Sequence, residues 1–138
     1  MNKNISNIRF DILDKKTQEL LSKLQPFTKG FVLGGGTALA LQLNHRKSFD
    51  LDFFSVSPIE KNYLEKLSQF VVVKNIAVDT ADELTLFTRN DIKITFLHYP
   101  FSHAFPIIKT EKGLNLFSVK DIAIKKEEYD RLKKLERV

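Results

Sequence analysis

Apolar side chains recur over residues 8–24 at Ile8, Ile12, Leu13, Leu20, Leu21 and Leu24, a spacing that predicts one face of a helix. The pattern is broken near Asp14-Lys15-Lys16 and ends at Pro26, because proline lacks the N–H that a helix interior needs. Phe31-Val32-Leu33 is a short apolar run suited to a buried strand, and three glycines stop it. Thr37 to Leu43 predicts a helix with Leu39, Ala40 and Leu43 on one side. Asp50 to Phe54 alternates polar and apolar in the manner of a strand. Ser57-Pro58 predicts another helix, with Ser57 as N-cap and Pro58 at the first helical position, running to about Ser68.

Three strand candidates follow: Phe70 to Val78, Leu84 to Arg89 and Ile92 to His98. Arg89-Asn90-Asp91 fits a hairpin turn between the last two. Tyr99 to Pro106 predicts a loop, since Pro100 and Pro106 remove backbone donors. A short strand near Leu114 to Phe117 leads into Ser118-Val119-Lys120-Asp121, a start resembling a capping box, and a final helix runs to the chain end. Helices that alternate with strands, together with hairpins, predict an α/β (α+β) domain: a mixed twisted sheet flanked by helices, with a C-terminal helix. With no internal repeat, linker or low-complexity tract, residues 1–138 are expected to form a single domain.

Composition narrows the chemistry. The absence of cysteine excludes disulfides, a thiol nucleophile and a Cys-type zinc site. Apolar runs are far below the ~20 residues of a membrane span. The N-terminus lacks the apolar stretch of a secretory signal. A cytoplasmic protein is therefore expected. The net charge of +5 leaves room for a nucleotide or RNA partner. Twelve Phe and no Trp suggest aromatic core filling. His45, His98 and His103 show no metal-ligand spacing and receive no catalytic role.

The chemistry-bearing residues cluster early. Gly34, Gly35 and Gly36 let the backbone turn sharply and leave N–H groups unshielded. A helix starting at Thr37 adds its own orphan N–H groups and the positive end of its dipole, which together favour phosphate. No Gly-Lys-Ser/Thr follows, so this is not a P-loop, nor is it the Rossmann fingerprint. Alone, such a turn also fits an ordinary strand-to-helix connection. Asp50 and Asp52 change the balance. Strand residues two apart face the same side, roughly 7 Å apart at ~3.3 Å per residue, and paired carboxylates suit a hard cation such as Mg²⁺. Leu51, Phe53 and Phe54 around Asp52 make an apolar setting in which an unpaired charge is costly.

Gly35-Gly36-Thr37-Ala38-Leu39-Ala40-Leu41 with His45-Arg46-Lys47-Ser48-Phe49-Asp50-Leu51-Asp52-Phe53-Phe54 resembles the nucleotidyltransferase motif of the AbiEii/AbiGii toxin family, within the DNA polymerase beta-like nucleotidyltransferase superfamily. Asp91 to Pro100 is similar to that family's middle strand, and Ser118 to Lys126 to its second block. The likeness spans roughly residues 30 to 128. It implies an NTP-dependent enzyme of a toxin–antitoxin or phage-defence system. Such an enzyme would transfer NMP to a hydroxyl of tRNA or protein and release pyrophosphate, with an antitoxin protein as a further partner.

The resemblance also implies roles. Asp50 and Asp52 would bind Mg²⁺ (or Mn²⁺), and Gly34, Gly35, Gly36 and Thr37 would hold phosphates. Lys126 is the best match to the family's helix lysine and would act in catalysis by neutralising phosphate charge, with Lys125 adjacent as a nucleotide-binding residue. A lysine at the edge of the apolar stripe also fits a snorkelling side chain. Arg46 and Ser48 would contact phosphate, although Ser48 fits a turn hydroxyl and Arg46 a solvated charge equally well. Two departures stand out. The position where the superfamily often carries a third carboxylate holds Thr95, with Asp79 and Asp91 as substitutes elsewhere. The chain also stops at Val138, where family members continue into a helical region. Both departures favour a rival reading, a catalytically inactive relative that binds a nucleotide, RNA or a partner protein.

Overall fold

The computed structural model describes residues 8–43, 50–100 and 106–136, with 128–130 and 132–136 as helical backbone. The first helical stretch is split. A 3-10 turn, Phe10–Ile12, precedes α1 (Lys15–Leu24), and Asp14 is the N-cap of α1. Its carboxylate accepts a hydrogen bond from the Thr17 N–H at 2.8 Å, so the polar break in the periodicity is a helix start.

Strand β1 (Val32–Gly34) runs directly into α2 (Gly35–Leu43), two residues earlier than Thr37. Gly35 makes the junction with φ +64°, a left-handed conformation that a residue with Cβ adopts only at a cost. After β2 (Leu51–Ser55), the helix expected from Ser57 is much shorter: α3 covers Tyr63–Ser68 with Asn62 as N-cap. Ser57 and Pro58 are drawn away from helical geometry. The Ser57 N–H bonds the Ser55 Oγ at 3.1 Å and the Ile59 N–H bonds the Ala81 carbonyl at 2.9 Å.

β3 (Val73–Asp79), β4 (Glu83–Thr88) and β5 (Lys93–His98) follow the expected pattern. Asp91 takes φ +62° in the turn between β4 and β5. β6 (Ile108–Lys109) was not anticipated, being too short to show a period, and β7 (Asn115–Leu116) precedes α4 (Val119–Glu136).

The seven strands form one mixed sheet in the order β3-β4-β5-β2-β1-β7-β6. β2 runs parallel to β5 and antiparallel to β1, while β1 runs parallel to β7. Leu33, Leu51, Phe53, Leu86, Ile94 and Phe96 are fully buried and pack with Leu20 and Leu24 of α1, Leu41 of α2 and Leu67 of α3. Phe53 stacks on Phe96 at 5.3 Å. The cross-strand register puts Asp52, Thr95 and Thr85 side by side. Side chains alternate along a strand, so these three share the face opposite that core.

Candidate nucleotide and metal site

β2 lies between β1 and β5, and Asp52 is its crossing point, opposite Gly34 on one side and Thr95 on the other. The two glycines beside it lack side chains for different reasons. A Cβ on Gly34 would stand 2.7 Å from the Phe54 ring and 3.2 Å from that of Phe117, so Gly34 makes room for two aromatic rings. A Cβ on Gly35 would collide with Oδ2 of Asp52. The Asp52 carboxylate therefore rests against the first residue of α2, where the N–H groups of the opening turn have no acceptor within the helix.

Asp50 is exposed just before β2. Its backbone carbonyl accepts a hydrogen bond from Thr37 Oγ1, and Thr37 is itself fully buried. The Thr37 side chain thus ties the segment entering β2 to α2. Burial, and then the charge of Asp50, push the Asp52 carboxyl above the ordinary carboxylate range, and Lys93 partly offsets this. Among the described residues no group donates a hydrogen bond to that carboxylate, and no three His, Cys, Asp or Glu side chains gather as a metal cluster. Two like-charged oxygen donors, one of them partly desolvated, fit Mg²⁺ or Mn²⁺. Mg²⁺ typically takes one or two protein carboxylates and completes its shell with water and substrate phosphate.

The lysines separate. Lys125 Nζ lies 4.6 Å from the Tyr99 ring centroid and 4.4 Å from that of Phe117. Both rings pack edge-on against Phe54, two residues beyond Asp52 on the same sheet face. Lys126 is exposed on the neighbouring position of α4. The position of α4 follows from its start: the Asp121 N–H bonds Ser118 Oγ at 3.2 Å, the expected cap with Asp in place of Glu. Phe117 is pinned by its N–H to the Leu33 carbonyl at 2.9 Å and by Gln42 Nε2 to its own carbonyl at 2.8 Å. Arg46 and Ser48 lie outside the described residues.

Thr95 does occupy the strand position opposite Asp52. Neither proposed substitute carboxylate reaches it. Asp91 sits in the β4–β5 turn, paired with Lys74 at 2.7 Å, and Asp79 closes the edge strand β3. The carboxylate linked to Thr95 is Glu83, whose Oε2 accepts from Thr85 Oγ1 at 2.7 Å, with Thr85 Oγ1 3.3 Å from Thr95 Oγ1. Glu83 and Lys93 went unnoticed in the sequence, although each stands two residues from a threonine of this row and so shares its face.

A mixed sheet with a carboxylate pair beside a glycine-opened helix defines a nucleotidyltransferase-type domain. A structure from Thermotoga maritima, provisionally assigned as a nucleotidyltransferase, superposes with a TM-score of 0.59 at 14% identity, over 91% of each chain. Another with the same provisional assignment, from Helicobacter pylori, gives 0.53 at 20% identity over 83% of this chain and 59% of that one. JHP933 of Helicobacter pylori gives 0.52 at 19%, over 83% and 57%. The chain thus spans less than two thirds of either Helicobacter protein. Residues 19–114 match the family described as nucleotidyl transferase AbiEii toxin, type IV toxin–antitoxin system, and the chain belongs to that family. The matched region contains Gly34 to Thr37, Asp50 and Asp52, and ends before α4. No protein with a curated description matches significantly. Among the described residues no helix is long and apolar enough to cross a membrane.

Proposed function

We propose that this chain transfers a nucleoside monophosphate from an NTP to a hydroxyl of tRNA or of a protein side chain. It would act in the cytoplasm as the toxin of a toxin–antitoxin pair. The acceptor hydroxyl gives up its proton to solvent as its oxygen bonds the α-phosphorus, the bond from that phosphorus to the bridging oxygen breaks, and pyrophosphate leaves. Asp50 and Asp52 hold Mg²⁺ or Mn²⁺. When bound, the ion neutralises phosphate charge and lowers the pKa of a coordinated hydroxyl. The Gly35 and Gly36 N–H groups, at the positive end of α2, take the phosphates. Lys125 adds a cation from the Phe54 side of the site, with Lys126 next to it on α4.

The observation that carries this reading is the Asp52 carboxylate resting against Gly35. A carboxylate oxygen beside a helix start whose N–H groups have no acceptor within the helix supports a shared metal and phosphate site. Calorimetric titration with each NTP, with and without Mg²⁺, tests it. Metal-dependent binding that disappears in Asp50→Asn and Asp52→Asn supports the reading, and wild-type protein that binds no NTP overturns it. Incubation with radiolabelled NTPs and total RNA or protein then identifies the acceptor.

Thr95 opposite Asp52 favours a second reading, a non-catalytic domain that binds a nucleotide, RNA or a protein partner. Under that reading NTP binding persists but no label is transferred.

A further inference from the structure

The row Asp52–Thr95–Thr85 crosses three neighbouring strands on one face of the sheet. Thr85 and Thr95 are 4% and 7% exposed, and a hydroxyl so buried needs a hydrogen-bond partner. Proton counting orients the chain of bonds. A carboxylate only accepts, so the Thr85 hydrogen is committed to Glu83 Oε2, the shorter contact at 2.7 Å. The oxygen of Thr85 is then an acceptor, and the 3.3 Å contact is made by the Thr95 hydrogen. With its only hydrogen used toward β4, the Thr95 hydroxyl presents lone pairs to the rest of the row, whose next member is Asp52. One charged residue on the neighbouring strand β4 sets this polarity, and charge-assisted bonds of this kind are the stronger ones.

We infer that Thr95 accepts a hydrogen bond from the attacking hydroxyl of the acceptor substrate, and that Glu83, through Thr85, is the positioning residue that keeps Thr95 in that orientation. A neutral hydroxyl thereby orients the attacking group at the strand position where a third carboxylate is missing. The inference rests on the transfer reaction proposed above. Glutamine at position 83 keeps size and hydrogen bonding but can also donate, which frees the Thr85 hydroxyl to reverse.

The test compares label transfer, Mg²⁺-dependent NTP binding and thermal melting across variants. Glu83→Gln is expected to lower kcat about 10- to 100-fold, the range for groups that orient a reacting residue, with NTP affinity within about twofold of wild type and an unchanged melting temperature. Thr95→Ser retains about tenfold more turnover than Thr95→Val, because only serine keeps the hydroxyl. Thr95→Asp supplies a carboxylate directly and binds Mg²⁺ more tightly, and turnover in this background no longer responds to Glu83→Gln. Wild-type kcat in Glu83→Gln overturns the inference and leaves the transferase reading standing. So does an equal loss from Glu83→Gln in both backgrounds, which marks a merely structural role. Wild-type protein that transfers no label overturns both.

Discussion

The Asp52 carboxylate occupies the space that a side chain on Gly35 would fill, so Asp52 and the start of α2 exclude any larger residue between them. Gly35→Ala therefore meets two penalties: a Cβ at φ +64° and a clash with the carboxylate. Left-handed strain at a non-glycine residue is on the order of 1–3 kcal/mol. The variant is expected to melt lower than wild type and to lose Mg²⁺-dependent NTP binding in calorimetry. Wild-type melting and binding together would sink this account.

The raised Asp52 carboxyl has a consequence for stability. Between its unfolded and folded pKa values the native state holds more protons, so the metal-free protein loses stability as pH rises through that window. Asp52→Asn removes the loss. In EDTA at pH 7 the variant should melt higher than wild type, with the gap closing below pH ~4, where carboxylates are protonated. Added Mg²⁺ raises the melting temperature of wild type only. A wild type that is the more stable of the two in EDTA at pH 7 would contradict this.

Lys125 and Lys126 are distinguishable by substitution. Methionine keeps the apolar stem and removes the charge, so Lys125→Met gives up its ring contacts, about 0.5–1 kcal/mol each at exposed sites. It should also weaken NTP binding several-fold by calorimetry, while Lys126→Met changes both little. The reverse order would move the functional lysine to the exposed position.

At the other end of the chain, Asp14→Ala deletes an N-cap bond and is expected to cost about 1 kcal/mol in urea unfolding. Hydrogen bonding to Thr17 holds the Asp14 carboxyl below its usual range. Its stabilisation is therefore present above the unfolded pKa and fades as pH falls through the folded one. The gap between variant and wild type should narrow in acid, and a gap independent of pH would rule out the cap as its source.

Much of this arrangement was readable from local pattern. The alternation in Asp50 to Phe54 and the glycine run located Asp52 and the helix it lies against, because strand period and glycine freedom are properties of neighbouring residues. What failed depended on distant ones. Ser57-Pro58 has the chemistry of a helix start, yet the Ile59 N–H is claimed by Ala81, a partner 22 residues away. That Lys125, and not Lys126, is held between Tyr99 and Phe117 depends on where those rings lie, and helical spacing holds no such information. Glu83 escaped notice because its link to Thr95 passes through Thr85, across two strands.

The pinning of Phe117 to Leu33 and Gln42 bears on the order in which the molecule becomes competent. During synthesis the glycine turn and both aspartates emerge before Phe117, against whose ring Lys125 is lodged and which follows more than sixty residues after Asp52. Until that segment docks, strand β1 has β2 on one side and an open edge on the other. A nascent chain can therefore carry the glycine turn and both aspartates well before the sheet around them is complete, and β1 keeps an open edge until β7 has been made.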